Sequence, residues 1–237
     1  MRFGNSTTTK NNSISVPVVL CLLISVCFFA DNSLGQTPPS QSQIAGYGGL
    51  HRAAQHDDAA EIRKLVAAGA NLEKRDSAGR TALHVAAFAS AYRGVRALVG
   101  AGADINALES DRYDVLTIAA VANDLKMVNL ALNLGANPKA ITSRYDGTAL
   151  IAAAHLGHAR VVDALIRAGA PLDHVNNIDM TALIEAVVLG NGGKAHQDTV
   201  RVLVAAGADK SIRGGLGFTA LELAKSRKFK EIIEILQ

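Results

Sequence analysis

The stretch Gly79-Arg80-Thr81-Ala82-Leu83-His84-Val85-Ala86-Ala87, followed by Gly102-Ala103-Asp104-Ile105-Asn106, decides the architecture. Thr81 suits a helix start, because its hydroxyl can accept from an N–H that the first turn leaves without a partner. The residues after it make a short apolar helix whose small side chains allow close stacking. The later glycine fits a left-handed position just past a helix end, where a β-carbon is penalised. The opening phrase returns as Asp114-Val115-Leu116, Thr148-Ala149-Leu150, Thr181-Ala182-Leu183 and Thr219-Ala220-Leu221. The closing phrase returns as Gly-Ala at Gly69, Gly102, Gly135, Gly169 and Gly207, in steps of 33, 33, 34 and 38 residues. Two markers on one period mean stacked units. No unit of this size buries enough apolar area to fold alone, but in a stack each covers its neighbour's exposed face.

A second helix in each unit shows apolar spacing of three and four, as in Ile62, Leu65 and Val66, in Val161, Val162 and Leu165, and in Val200, Leu203 and Val204. The whole pattern resembles the ankyrin family, with Gly147-Thr148-Ala149-Leu150 and Gly157-His158 nearly as close a match as the 79–87 stretch. The resemblance implies an all-α solenoid of about six helix-turn-helix units joined by β-turn loops, at about 46–76, 77–109, 110–143, 144–177, 178–215 and 216–237. Ala or Val stands where the family's Pro is usual, and Asp114 replaces the expected Thr. The first unit lacks the Thr and is rich in polar residues (Gln55, His56, Asp57, Asp58). The last carries Lys228, Lys230, Glu231 and Glu234 around Ile232, Ile233 and Leu236. Polar outer faces at both ends are what capping units need.

Residues 1–35 read as an export signal. Arg2 and Lys10 precede an apolar run from Val18 to Ala30, about thirteen residues and short for a membrane span. Ser33 and Gly35 suggest cleavage before Gln36, with an uncleaved anchor as the alternative. Both cysteines, Cys21 and Cys27, lie in that run, so a chain cut there has neither disulfide nor thiol chemistry. The expected destination is the periplasm or the cell exterior, with no stable membrane span after cleavage. Residues 36–45 read as a flexible polar linker before the repeat domain at 46–237. The formal net charge of +3 is too small to argue for nucleic acid.

The chain offers little for catalysis. His51 and His84 share a slot just after the leucine that opens the first helix, and the resemblance implies a structural role, tying one turn to its neighbour. His155 and His158 could share a helix face and hold a metal, yet Gly157-His158 matches the family's turn between helices. Gly190-Asn191-Gly192-Gly193-Lys194 has the wrong spacing for a phosphate-binding loop, and Ala195 follows the lysine. The 38-residue unit instead implies an enlarged, glycine-flexible loop between Leu189 and Thr199, either a contact site or tolerated slack. No Ser-His-Asp arrangement or paired-carboxylate motif appears, so neither enzyme, cofactor nor metal is expected.

Stacks of this family bind through the turn tips and the exposed side of the first helix, which line a concave face. Residues that the framework does not need are then the candidates: Arg80, Asp111, Tyr113, Tyr145, Met180 and Phe218 at the turns, and Phe88 and His155 on the first helix. Val121, Val188 and Leu189 also fall on the exposed side of that helix. Of seven aromatics after residue 35, Phe88, Tyr113, Tyr145 and Phe218 map to these places, and aromatics are favoured anchors. The opposing reading packs them along the turn ridge. The expectation is a non-enzymatic scaffold, monomeric when free, that binds another protein through its concave face. A regulatory or stabilising subunit of an exported enzyme is the alternative, and a histidine-based metal enzyme a more distant one.

Overall fold

The computed structural model describes residues 36–237. The expected signal segment and both cysteines lie outside the described residues. A short helix α1 (Gln41–Gly46) precedes six helix pairs. These are α2 (Gly49–Gln55) with α3 (Ala59–Ala67), α4 (Ala82–Phe88) with α5 (Tyr92–Gly100), and α6 (Val115–Val121) with α7 (Leu125–Asn133). They continue as α8 (Ala149–His155) with α9 (Ala159–Arg167), α10 (Ala182–Val188) with α11 (Lys194–Ala205), and α12 (Ala220–Ser226) with α13 (Lys230–Leu236). The described residues contain no strand, only the isolated bridges Thr142 to Gly147 and Arg213 to Thr219. None of their helices is long and apolar enough to cross a membrane.

First helices pack in an unbroken row from α2 to α12, and second helices form a parallel row behind them. Alanines at the contacts let the first helices approach closely, while Leu83, Leu116, Leu150 and Leu183 are all buried between rows. Leu221, the matching residue of the last unit, is only half-buried because no further unit covers it. In the second row, Ile62, Val95, Val128, Val161 and Val200 are fully enclosed. The expected caps form at the helix starts. Thr148, Thr181 and Thr219 each accept an N–H at 3.3 Å, and Asp114 accepts that of Thr117 at 2.7 Å. Asp114 thus keeps the cap that threonine supplies elsewhere, although burial pushes its carboxyl above the usual range.

Two expectations change. Residues 36–45 are not a free linker. Ser40 caps α1, Pro39 is buried, and the Thr37 carbonyl accepts from the Arg80 guanidinium at 3.2 Å. Gln43 also donates to the Ser77 hydroxyl at 3.3 Å, so this segment docks on the second unit's turn. Nor is 190–198 an enlarged flexible loop. Most of the surplus extends α11 to twelve residues, where the other second helices have seven or nine. Only Gly190–Gly193 remains outside a helix. Its glycines answer to crowding. A β-carbon on Gly190 would meet the Ala186 carbonyl and come within 2.6 Å of the His196 ring, and one on Gly192 (φ +73°) would lie 2.5 Å from the Phe229 ring.

This contrast is testable. Gly190→Ala should lower the urea midpoint clearly, since backbone and ring must both shift. Gly100→Ala, at an exposed helical position with open space around it, should raise stability by about 0.5–1 kcal/mol. Equal effects in the two variants would contradict the packed-loop reading.

Candidate protein-binding face

The turns preceding each first helix are built alike. One side chain accepts the N–H groups two and four residues ahead. Asp76 takes those of Ala78 and Arg80, Glu109 those of Asp111 and Tyr113, and Asn176 those of Ile178 and Met180, at 2.9–3.2 Å. In the fourth unit, where one extra residue precedes the turn, Ser143 accepts from Tyr145 and Gly147. Successive turns are then joined by single backbone bonds: Ser110 N–H to Ala78, Ser143 to Arg112, Asn177 to Tyr145 and Gly215 to Asp179, at 2.9–3.2 Å. The result is a continuous ridge rather than separate tips.

Histidines fasten this ridge from below. His51 meets the Arg80 carbonyl at 3.0 Å, and His84 meets that of Ala107 at 2.9 Å. The other His84 nitrogen, Nδ1, receives the Thr81 hydroxyl at 2.8 Å and the Thr81 N–H at 3.2 Å. Nδ1 therefore accepts and Nε2 carries the proton, so the imidazole is neutral. Burial lowers its pKa to about 4. His174 makes a similar tie to the Asp146 carbonyl, whereas His158 meets the Ala120 carbonyl in the last turn of α6, away from the ridge. His155 and His158 thus point to different partners. Among the described residues no group of three His, Cys, Asp or Glu side chains could hold a metal ion.

The structure separates the expected contact residues. Arg80 leaves the set, because its side chain is 2% exposed and paired with Asp76 at 2.8 Å. Tyr113 is also buried, and burial pushes its hydroxyl pKa up. Asp111 is half-buried and paired with Arg144 of the next turn, while Arg112 reaches Asp146 at 3.0 Å, so these charges link turns. Tyr145 is half-buried in its turn, and Phe88, the last residue of α4, is half-buried at the end of the helix away from the ridge. His155 bonds Glu185 at 3.1 Å, and Asn176 holds the other oxygen of that buried carboxylate at 3.1 Å. Met180 and Phe218 come together across a notch.

That notch has a volume of about 210 Å³ and is walled by Met180, Ile184, Val188, Leu216, Phe218 and Leu223. Its rim carries Ile178 and Leu216, 41% and 38% exposed, two of the five large apolar side chains most open to water among the described residues. It opens where the turn of the sixth unit meets α10 and α12. The position that braces the other turns is Gly214, and a β-carbon there would already stand 3.1 Å from the Asp179 carbonyl and 3.5 Å from Ile184. Sequence reasoning named Met180 and Phe218 but missed Ile178 and Leu216. Their signal was present, as apolar residues isolated in Asn176-Asn177-Ile178-Asp179 and Gly214-Gly215-Leu216-Gly217. The braces themselves were also legible, five residues before Thr81, Asp114, Thr148, Thr181 and Thr219, as Asp, Glu, Ser, Asn and then Gly.

The comparisons agree with this geometry. The family model for ankyrin repeats (3 copies) matches residues 16–109 and 116–214. The chain is 40% identical to an ankyrin repeat domain from Acinetobacter baumannii AYE, over 79% of this chain and 95% of that one, with a TM-score of 0.74. It is 33% identical to the ankyrin repeat protein EF0377, over 80% and 96% respectively, also with a TM-score of 0.74. No curated protein matches it. The chain belongs to the ankyrin-repeat family, whose members generally mediate protein–protein interaction and are typically non-enzymatic scaffolds.

The buried His84 makes stability depend on pH. Unfolded, its imidazole takes a proton near pH 6.5; folded, it does so only near pH 4. The unfolded state therefore binds more protons in this window, and stability falls as pH drops through it, by at most about 3 kcal/mol from this residue. His84→Gln should be less stable at pH 7 but show a shallower decline in urea midpoint between pH 6.5 and pH 4. An unchanged slope would remove His84 as the cause.

Proposed function

We propose that this protein is an exported, non-enzymatic scaffold that grips a partner protein through the turn and first-helix face, with an apolar side chain of the partner seated in the notch. The observation that carries the reading is the notch itself. It is an apolar hollow beside the turn that carries Gly214 in place of a brace, rimmed by Ile178 and Leu216 exposed to water. Exposed apolar groups around a hollow lose water contact when a partner side chain enters, and that is where interface energy concentrates. Phe218 supplies the aromatic wall that such anchors favour. The ridge bonds beside it hold the surface in one shape, which lowers the ordering cost of binding. Export rests on the leader-like residues before Gln36 and on the absence of cysteine after them.

The test places a photo-crosslinking amino acid at Leu216 and, separately, at Glu234 on the outer surface of the last unit, in the compartment where the protein resides. The reading expects one defined protein adduct from Leu216 and none of the same identity from Glu234. Phe218→Ala should weaken binding of that identified partner by about thirtyfold while far-UV circular dichroism stays unchanged, matching a loss of ~2 kcal/mol. No adduct at Leu216, the same adduct at both positions, or undiminished binding by Phe218→Ala would reject the notch. N-terminal sequencing of the mature protein bears on export, with a chain starting at Met1 rejecting cleavage.

A further inference from the structure

The row of second helices has one break. Neighbours α3 and α5, α7 and α9, α9 and α11, and α11 and α13 pack closely, whereas α5 and α7 approach less. The gap is a groove of about 730 Å³ lined wholly by second helices. Tyr92 holds it open. This tyrosine begins α5 where α3 and α9 begin with Ala59 and Ala159, and the Lys126 ammonium sits 3.9 Å above its ring.

The charge of the groove is one-sided. Arg93 and Arg96 come from α5, Lys126 from α7 and Arg160 from α9, and no acidic residue lines the groove with them. All four are exposed, and none makes an ion pair among the described residues. Several cations on second helices elsewhere are paired, Lys64 with Glu61, Arg167 with Asp163, and both Lys194 and Arg201 with Asp198, although among the described residues Arg63 and Lys230 stand alone as well. The acids adjoining the groove are already engaged. Asp124 accepts from Ser90, Tyr92 and Met127, and Asp163 holds Arg167. Half-buried Leu125 adds apolar surface between the charges, over the buried Leu130, and Asn129 and Asn133 add side-chain amides.

We infer that this groove binds an acidic segment of a partner protein, one that interleaves carboxylates with apolar side chains. Arginine forks match carboxylates in a paired geometry, Leu125 and the Tyr92 ring offer apolar surface to the residues between them, and the asparagine amides can bond a peptide backbone. Nucleic acid fits less well. The cluster is short, the chain's net charge is only +3, and leucine offers nothing to a phosphate. This surface is separate from the notch, so one protein can hold two segments at once.

Fluorescence anisotropy with labelled probes tests it. The probes are a peptide of about twelve residues alternating Glu-Glu-Leu, its Lys-for-Glu counterpart, and a single-stranded oligonucleotide of similar charge. The expected result is saturable binding of the acidic peptide alone, weakening as salt rises from about 50 to about 300 mM. The triple variant Arg93→Gln, Arg96→Gln, Arg160→Gln should lose about tenfold or more in affinity with unchanged circular dichroism and urea midpoint, while Phe218→Ala binds the peptide as before. Tighter binding of the oligonucleotide, equal binding of the lysine peptide, no binding of the acidic peptide, or an unaffected triple variant would each overturn the proposal.

Discussion

The structure depends on one constraint: the apolar faces of each helix pair are covered only by the pairs on either side. No central core exists to which distant units contribute. Small residues on the first helices make this possible, since alanine at the contact lets backbones approach while the leucines fill the space between the two rows. The constraint also explains both ends. Among the described residues no further helix pair covers Leu221, which is half-exposed, and at the other end the segment from Thr37 to α1 docks on the turn of the second unit.

Stacking alone would leave the connecting turns loose, and here polar groups take over. Each turn is braced within itself by Asp76, Glu109, Ser143 or Asn176, joined to the next by a backbone bond, and tied from beneath by a histidine in several units. Buried polar groups of this kind stabilise only when fully satisfied. His84 meets that demand by staying neutral, with one nitrogen accepting and the other donating. The turn of the sixth unit is the exception, with Gly214 at the brace position and an apolar hollow beside it.

Much of this was legible in the residues. Thr-Ala-Leu and Gly-Ala mark the repeat because they answer to local demands, a cap at one end of a helix pair and a left-handed residue at the other. The paired histidine slot was readable for the same reason. What could not be read depends on distant groups. Arg80 sits where the family presents a surface residue, but Asp76 and the Thr37 carbonyl bury it. Residues 36–45 have the composition of a linker, yet Arg80 and Ser77 give them something to bind. The glycines at 190–193 suggest mobility, while the His196 and Phe229 rings pressed against them require their small size. The notch is an intermediate case. Ile178 and Leu216 stand out in polar turns, but that they rim one hollow with Met180, Ile184 and Phe218 depends on how two units meet.

The most direct measurement is amide hydrogen exchange along the whole chain after a single cavity is cut with Leu116→Ala, at the centre of the stack. If units are held only by their neighbours, protection should fall most in α6 and α7, less in the pairs on either side, and least in α2, α3, α12 and α13. A uniform loss of protection across all six pairs would mean that the chain opens as one globule, and would contradict the account.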